Sequence, residues 1–223
     1  MNLTPVWISL QLASVTVAVL LVLGTPLAWW LAMGQSRWRM PVDAIVALPL
    51  VLPPTVLGFY MLILLGPKGP VGGPWFAVTG ETLTFSFTGL VITSVLYSLP
   101  FVVQPLRDAF SAIGQRPLET AAMLGASPLD AFRTVACPLA RRGFVTAAVL
   151  GFAHTLGEFG AILMVGGSIP GETRAVAIAI YEHVEMLEYG AAHALSAGLL
   201  VFSFIALLAI YTLNGRHRIG VSV

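Results

Sequence analysis

Apolar residues along this chain fall into long runs separated by short polar or turn-forming stretches, not into the alternation of a half-buried strand. Five runs reach the roughly 20 residues a helix needs to cross a hydrocarbon core. They extend from Trp7 to Met33, Ala44 to Leu65, Phe85 to Leu106, Phe144 to Gly166 and Ala191 to Leu213. A sixth, shorter stretch lies at residues 173–187. Its apolar part, Ala175 to Tyr181, is too short to span alone and leads into Glu182, Glu185 and Glu188. It reads as a partial or re-entrant helix covered by protein. The fold class is therefore an all-α integral membrane protein with about five transmembrane helices and a possible sixth short helix, in a single domain over residues 1–223.

Composition narrows this further. Hydrophobic residues make up 57% of 223 positions and charged residues 9%, against about 25% charged in soluble domains, so a water-dispersed enzyme is excluded. Met1 to Pro5 lacks the positive start of a cleavable signal peptide. The single cysteine, Cys137, offers neither a disulfide nor metal-ligand spacing, so no bound cofactor or metal is expected. Nothing points to nucleic acid. With the N-terminus outside, the inner segments hold nine basic residues: Arg37, Arg39, Arg107, Arg116, Arg133, Arg141, Arg142, Arg216 and Arg218. The outer ones keep two, Lys68 and Arg174. That asymmetry predicts a cytoplasmic C-terminus. Trp7, Trp29, Trp30, Trp38 and Trp75 sit near predicted span ends, where their rings favour the headgroup layer.

Proline and glycine set the shape. Pro49, Pro53 and Pro54 kink the second span, and Pro100 and Pro105 the third. The outer loop from Gly66 to Pro74 is turn chemistry in which no helix is expected. Ala153, Gly157 and Ala161 form a small-residue stripe suited to close helix approach.

The segment from Arg107 to Arg142 is too long to be an idle linker. Pro117 opens a helix with Glu119 in its first turn, Ala121 continues it, and Gly125 stops it. Ser127 then caps a second helix, with Pro128 at its first position and Asp130 in its first turn. Leu129, Phe132 and Val135 share one face, and Pro138 ends the run. This is a platform of two short helices for a partner protein.

Glu119-Thr120-Ala121, Gly125 and Val135-Ala136-Cys137-Pro138 resemble the EAA loop of the permeases of ABC importers, and the resemblance runs over essentially the whole chain. Thr120, Val135 and Cys137 replace the family's alanine, isoleucine and leucine, all conservatively in size. The resemblance implies a type I importer-like permease whose coupling helices dock on an ABC ATPase through Glu119, Ala121, Gly125, Ser127, Asp130 and Phe132. It also implies a second copy of the chain, an external oxyanion-binding protein and a bacterial inner-membrane location. The only lysine, Lys68, stands outside any G-x-x-x-x-G-K-[ST] pattern, so ATP must be used by a separate subunit. Gly157-Glu158-Phe159-Gly160-Ala161 and Ser168 to Arg174 resemble the molybdate branch, with similar wording in tungstate and sulfate permeases.

Glu158 is the only carboxylate deep in a span, with His154 one turn before it. Intramembrane ionisable groups are costly and face the bundle interior. Glu158 and His154, together with Ser94 and Ser98 on the third span, are candidates for pathway or gating residues. A buried interhelical hydrogen bond is the alternative reading. An ion-gradient carrier acting alone would want more ionisable groups in the spans than these.

Overall fold

The computed structural model describes residues 3–215, with side chains through Thr212. Arg216 and Arg218 of the charge argument lie outside the described residues. The elements are α1 (Thr4–Met33), α2 (Arg39–Val51), α3 (Pro54–Leu65), α4 (Gly72–Thr79), α5 (Phe87–Ile113), α6 (Arg116–Met123), α7 (Pro128–Ala131), a π-helical turn (Phe132–Ala136), α8 (Cys137–Leu139), α9 (Arg141–Gly157), α10 (Gly160–Gly166), α11 (Val176–Glu185) and α12 (Tyr189–Gly215). No strand occurs among the described residues.

Three described helices are individually long and apolar enough to cross a bilayer: Thr4–Met33, Phe87–Ile113 and Tyr189–Thr212. The expected second span is not one kinked rod. Its halves, α2 and α3, meet at 112°. A residue preceding proline is pushed out of the helical region. Here Leu52 precedes Pro53 and Pro53 precedes Pro54, so both are extended, at ψ 134 and 137. The expected fourth span is likewise broken, at Glu158-Phe159 between α9 and α10. By contrast α5 runs unbroken through Pro100 and Pro105 and continues past Leu106 to Ile113. The platform-side end of that span therefore lies well beyond the expected boundary.

α1, α5 and α9 form the heart of the bundle, around Leu20, Ala28, Val102, Val103, Leu106 and Ala147. Close approach depends on glycines other than those expected. A Cβ on Gly151 would stand 2.6 Å from Val102 Cγ2, and one on Gly143 would stand 2.3 Å from Ala109 Cβ. Gly157 faces open space, and the break at Glu158 takes Ala161 off the face it was expected to share with Ala153. Ala161 instead packs against Gly58 of α3.

A helix does form where only turns were expected. α4 begins at Gly72 and carries Pro74 in its first turn, a place where a missing N–H costs nothing. The short helix near residues 173–187 is present as α11, ten residues long. Val176, Ile178 and Ala179 are buried, and its first N–H donates to Ser9 Oγ of α1 at 2.8 Å.

Candidate functional site

Two sites emerge, a platform at the end of the bundle where α1 finishes and a polar network inside it. In the platform, α6 ends as the sequence requires. Gly125 has φ +88, its N–H donates to Ala122 O, and that of Ala126 donates to Ala121 O. This paired closure is the usual end of a helix followed by a left-handed glycine, and it adds donors to the last carbonyls of α6. Ser127 caps α7, accepting from the Asp130 N–H at 3.2 Å and donating its hydroxyl to Asp130 Oδ2 at 2.5 Å. The second platform helix does not stop at Pro138. The backbone widens into the π-helical turn, closed by the Cys137 N–H on Phe132 O, and the ring of Pro138 is accommodated in α8. The rod from Pro128 to Leu139 then meets α9 at 69°.

Phe132, expected on the docking face, points into the bundle. Its ring lies 5.0 Å from that of Trp29, which in turn meets Phe110 at 5.1 Å. Trp29 is thus the keystone under the platform and not a member of an interfacial belt, whereas Trp7, Trp38 and Trp75 are exposed. Leu129 is exposed and does not share the inward face of Phe132. With the inward side spoken for, the outer side shows Glu119 and Asp130 beside Met123 and Leu124, 89% and 85% exposed. Spacing alone did not single out these two apolar side chains. Exposed apolar groups clustered with charges mark an association surface. Between α6, α7 and the end of α1 lies a cavity of about 420 Å³ bordered by Trp29, Met33, Leu118 and Glu119.

The second site gathers all four expected polar residues. The Glu158 side chain is wholly buried. Ser94 Oγ donates to its Oε2 and Ser98 Oγ to its Oε1, each at 2.6 Å. Ser98 Oγ also lies 2.9 Å from His154 Nδ1 and 2.9 Å from Thr155 Oγ1. A serine hydroxyl has one proton and two lone pairs. With that proton on Glu158, Ser98 accepts from His154 Nδ1–H and from the Thr155 hydroxyl, so its bonding capacity is filled. This assigns the His154 tautomer. The imidazole stacks on Phe101, centroids 3.8 Å apart, and touches Tyr97.

Placement explains what the network does. Glu158 sits at the break where α9 ends and α10 has yet to begin, and both serines are on α5. The carboxylate therefore ties a discontinuous segment to a continuous helix. Phe101 continues from His154 into an open cleft of about 400 Å³ that also borders Pro100, Gln104, Pro105, Thr146 and Leu150.

Residues 24–219 match the family described as the binding-protein-dependent transport system inner membrane component. The molybdenum transport system permease protein ModB of Azotobacter vinelandii is 57% identical over 221 residues, covering 99% of this chain and 97% of that protein. ModB of Escherichia coli K12 is 34% identical over 180 residues, covering 81% of this chain and 79% of that one. The sulfate transport system permease protein CysT of Synechocystis is 34% identical over 197 residues, covering 88% and 68%. Among solved structures, the inward-facing MetNI methionine ABC transporter matches with TM-score 0.70 at 17% identity, over 94% of this chain and 92% of that chain.

Proposed function

Since the chain belongs to the family of binding-protein-dependent transport system inner membrane components, we propose that it is the membrane-spanning permease of an ATP-driven importer for molybdate or a similar tetrahedral oxyanion. The near full-length identity to the Azotobacter molybdenum permease carries the cargo assignment. ATP is hydrolysed by a separate ABC ATPase subunit that docks on α6 to α8, with Glu119, Asp130, Met123 and Leu124 facing it and Gly125 and Ser127 fixing the angle between the helices. Phe132 anchors the platform to α1 and α5. An external binding protein delivers the oxyanion at the opposite end, and the platform end is cytoplasmic, in line with the basic residues there.

Two copies of the chain enclose the pathway, each supplying the cleft bordered by Phe101, Gln104 and Thr146. Ser94, Ser98, His154 and Glu158 act as a gating latch beside that pathway and not as its lining, because the carboxylate is buried and each of its oxygens already accepts from a serine on α5. A lightly polar path also suits transport, since tight binding midway would slow release.

The test is uptake by proteoliposomes holding permease, ATPase and binding protein, with molybdate, tungstate and sulfate in competition. ATP-dependent molybdate uptake that tungstate competes with better than sulfate is expected. Uptake without ATP, or sulfate outcompeting molybdate, overturns the reading. Glu119→Lys reverses a charge on the docking face and should abolish ATP-dependent uptake while leaving membrane insertion intact.

A further inference from the structure

Beside the platform lies a feature that the transport reading does not use. Where α1 ends and α2 begins, an open cavity of about 510 Å³ is walled by Gln35, Ser36, Arg37, Arg39, Asp43 and Arg107. Three guanidinium groups face one lining carboxylate. Arg107 is committed to Asp43 and to Asp108 of its own helix. Arg39 is held by the carbonyls of Leu31, Ala32 and Gly34 at the end of α1, which fixes the guanidinium without neutralising it. Arg37 is exposed beside the Trp38 ring. Neither Arg37 nor Arg39 has a carboxylate partner among the described residues. The cavity therefore keeps positive charge, with the Arg39 guanidinium fixed through four of its five N–H groups and one Nη1 N–H left uncommitted, and with Arg37 exposed at the rim.

The surroundings identify the medium that the cavity opens into. Arg37-Trp38-Arg39-Met40 alternates cationic and apolar residues, and Trp38 and Met40 are 60% and 80% exposed. Tryptophan beside arginine at the end of a spanning helix belongs in the headgroup layer, where rings and guanidinium groups are both accommodated. Basic pockets at the ends of spans on the basic side of a membrane protein fit anionic headgroups.

We infer that this cavity binds the phosphate headgroup of an anionic phospholipid, with Arg37 and the one uncommitted N–H of Arg39 on the phosphate oxygens and Trp38 and Met40 resting among the lipids. The site clamps the junction between α1, which bears Trp29 under the platform, and α2, which Arg107 ties to α5. The inference rests on membrane embedding and is independent of the cargo.

The experiment is native mass spectrometry of the detergent-purified permease, with its ATPase where that co-purifies, after incubation with dioleoyl phosphatidylglycerol or dioleoyl phosphatidylcholine. Phosphatidylglycerol should be retained over phosphatidylcholine. Arg37→Gln should weaken retention about fivefold, the equivalent of about 1 kcal/mol for one basic residue at an anionic surface. Arg37→Lys should restore most of it, and Lys68→Gln at the other end should leave it unchanged. Equal retention of the two lipids, an unaltered Arg37→Gln variant, or a loss as large in Lys68→Gln overturns the site. Displacement of phosphatidylglycerol by millimolar phosphate or molybdate would make it a soluble oxyanion site and overturn the lipid assignment. Arg37 lies on an exposed loop, so its substitution spares the fold, which a monodisperse gel-filtration peak verifies. Failure of the ATPase to co-purify would count against the coupling reading, while the lipid comparison is still read on the permease alone.

Discussion

Removing one hydroxyl from the buried network gives the most direct measure of what the Glu158 latch does. Ser94→Ala deletes the donor to Oε2, a bond of 2.6 Å to a side chain with no exposed surface. Hydrogen bonds to charged groups contribute about 1.5–3 kcal/mol in soluble proteins. Polar pairs between spans average only about 0.6 kcal/mol and reach about 1.7, because the membrane-inserted unfolded state finds other partners. A bond as short as 2.6 Å to a wholly buried carboxyl group belongs at the top of that second range, so Ser94→Ala should cost about 1.5 kcal/mol. Glu158→Ala loses both serine bonds, yet its cost falls short of twice that figure. Ser98 keeps His154 and Thr155, and the Ser94 hydroxyl turns back to a carbonyl of its own helix. Its expected cost is about 2–3 kcal/mol. Once Glu158 is gone, Ser94→Ala should cost almost nothing, so the double-mutant cycle should show a coupling of about 1–1.5 kcal/mol. The assay is unfolding in mixed dodecyl maltoside and SDS micelles, followed by tryptophan fluorescence. Energies additive within about 0.3–0.5 kcal/mol would refute the latch, since independent sites behave that way. In the uptake assay, Glu158→Gln should impair transport more than Ser94→Ala, because the two serines donate to different oxygens and the amide replaces one of them with a nitrogen that cannot accept.

Three further outcomes follow from local geometry. Gly125→Val forces a β-branched residue to φ +88 and should weaken ATPase association, at a conformational cost of about 1–2 kcal/mol, whereas Gly125→Asn tolerates that region and should retain most association in a pull-down. Gly143→Ala places a methyl against Ala109 Cβ, which only a shift of helix α5 or α9 relieves, and should lower stability in the same micelle titration by about 1–3 kcal/mol. Burial pushes the Cys137 thiol above its ordinary value, so its thiolate is scarcer than a free cysteine's at neutral pH. Maleimide labelling of this single cysteine should be slower near pH 7.5 than that of a free cysteine peptide, and its rise with pH should be displaced to higher pH than the peptide's; a profile at or below the peptide's would refute the burial argument. An impermeant thiol reagent should reach it only from the cytoplasmic side, and labelling from outside would reverse the proposed orientation.

The parts of the structure that the sequence announced are those governed by local chemistry. Gly125, Ser127 and Pro128 dictate helix ends through backbone angles and caps, and the platform forms around them as expected. The 112° turn was legible in the Pro53-Pro54 pair, although reading each proline as a kink understated two consecutive extended residues. What stayed hidden depends on distant partners. Nothing near Glu158 breaks a helix except flanking glycines, and the interruption there is compensated by serines some sixty positions earlier. Likewise the inward turn of Phe132 is set by Trp29 and Phe110, and the π-helical turn that carries the chain past Pro138 has no local signature. Gly143 and Gly151 went unnoticed because a close-approach glycine is defined by the helix it meets.

α5 is the element through which the two sites are joined. Phe110 near its end packs under the platform, Arg107 holds α2 through Asp43, and Phe101, Ser98 and Ser94 hold the break between α9 and α10. Pro100 and Pro105 lie between these attachment points and leave the carbonyls of Leu96 and Phe101 without their usual helical donors. A helix weakened there bends more readily than it breaks. In the proposed transport cycle, a displacement of the platform would therefore reach the latch as a change of bend in α5. Restoring the missing donor with Pro100→Ala should stiffen that helix, slowing uptake relative to ATP hydrolysis while leaving ATPase association unchanged. Uptake and hydrolysis falling together would instead place the defect in docking, and unchanged uptake would remove α5 as the mechanical link.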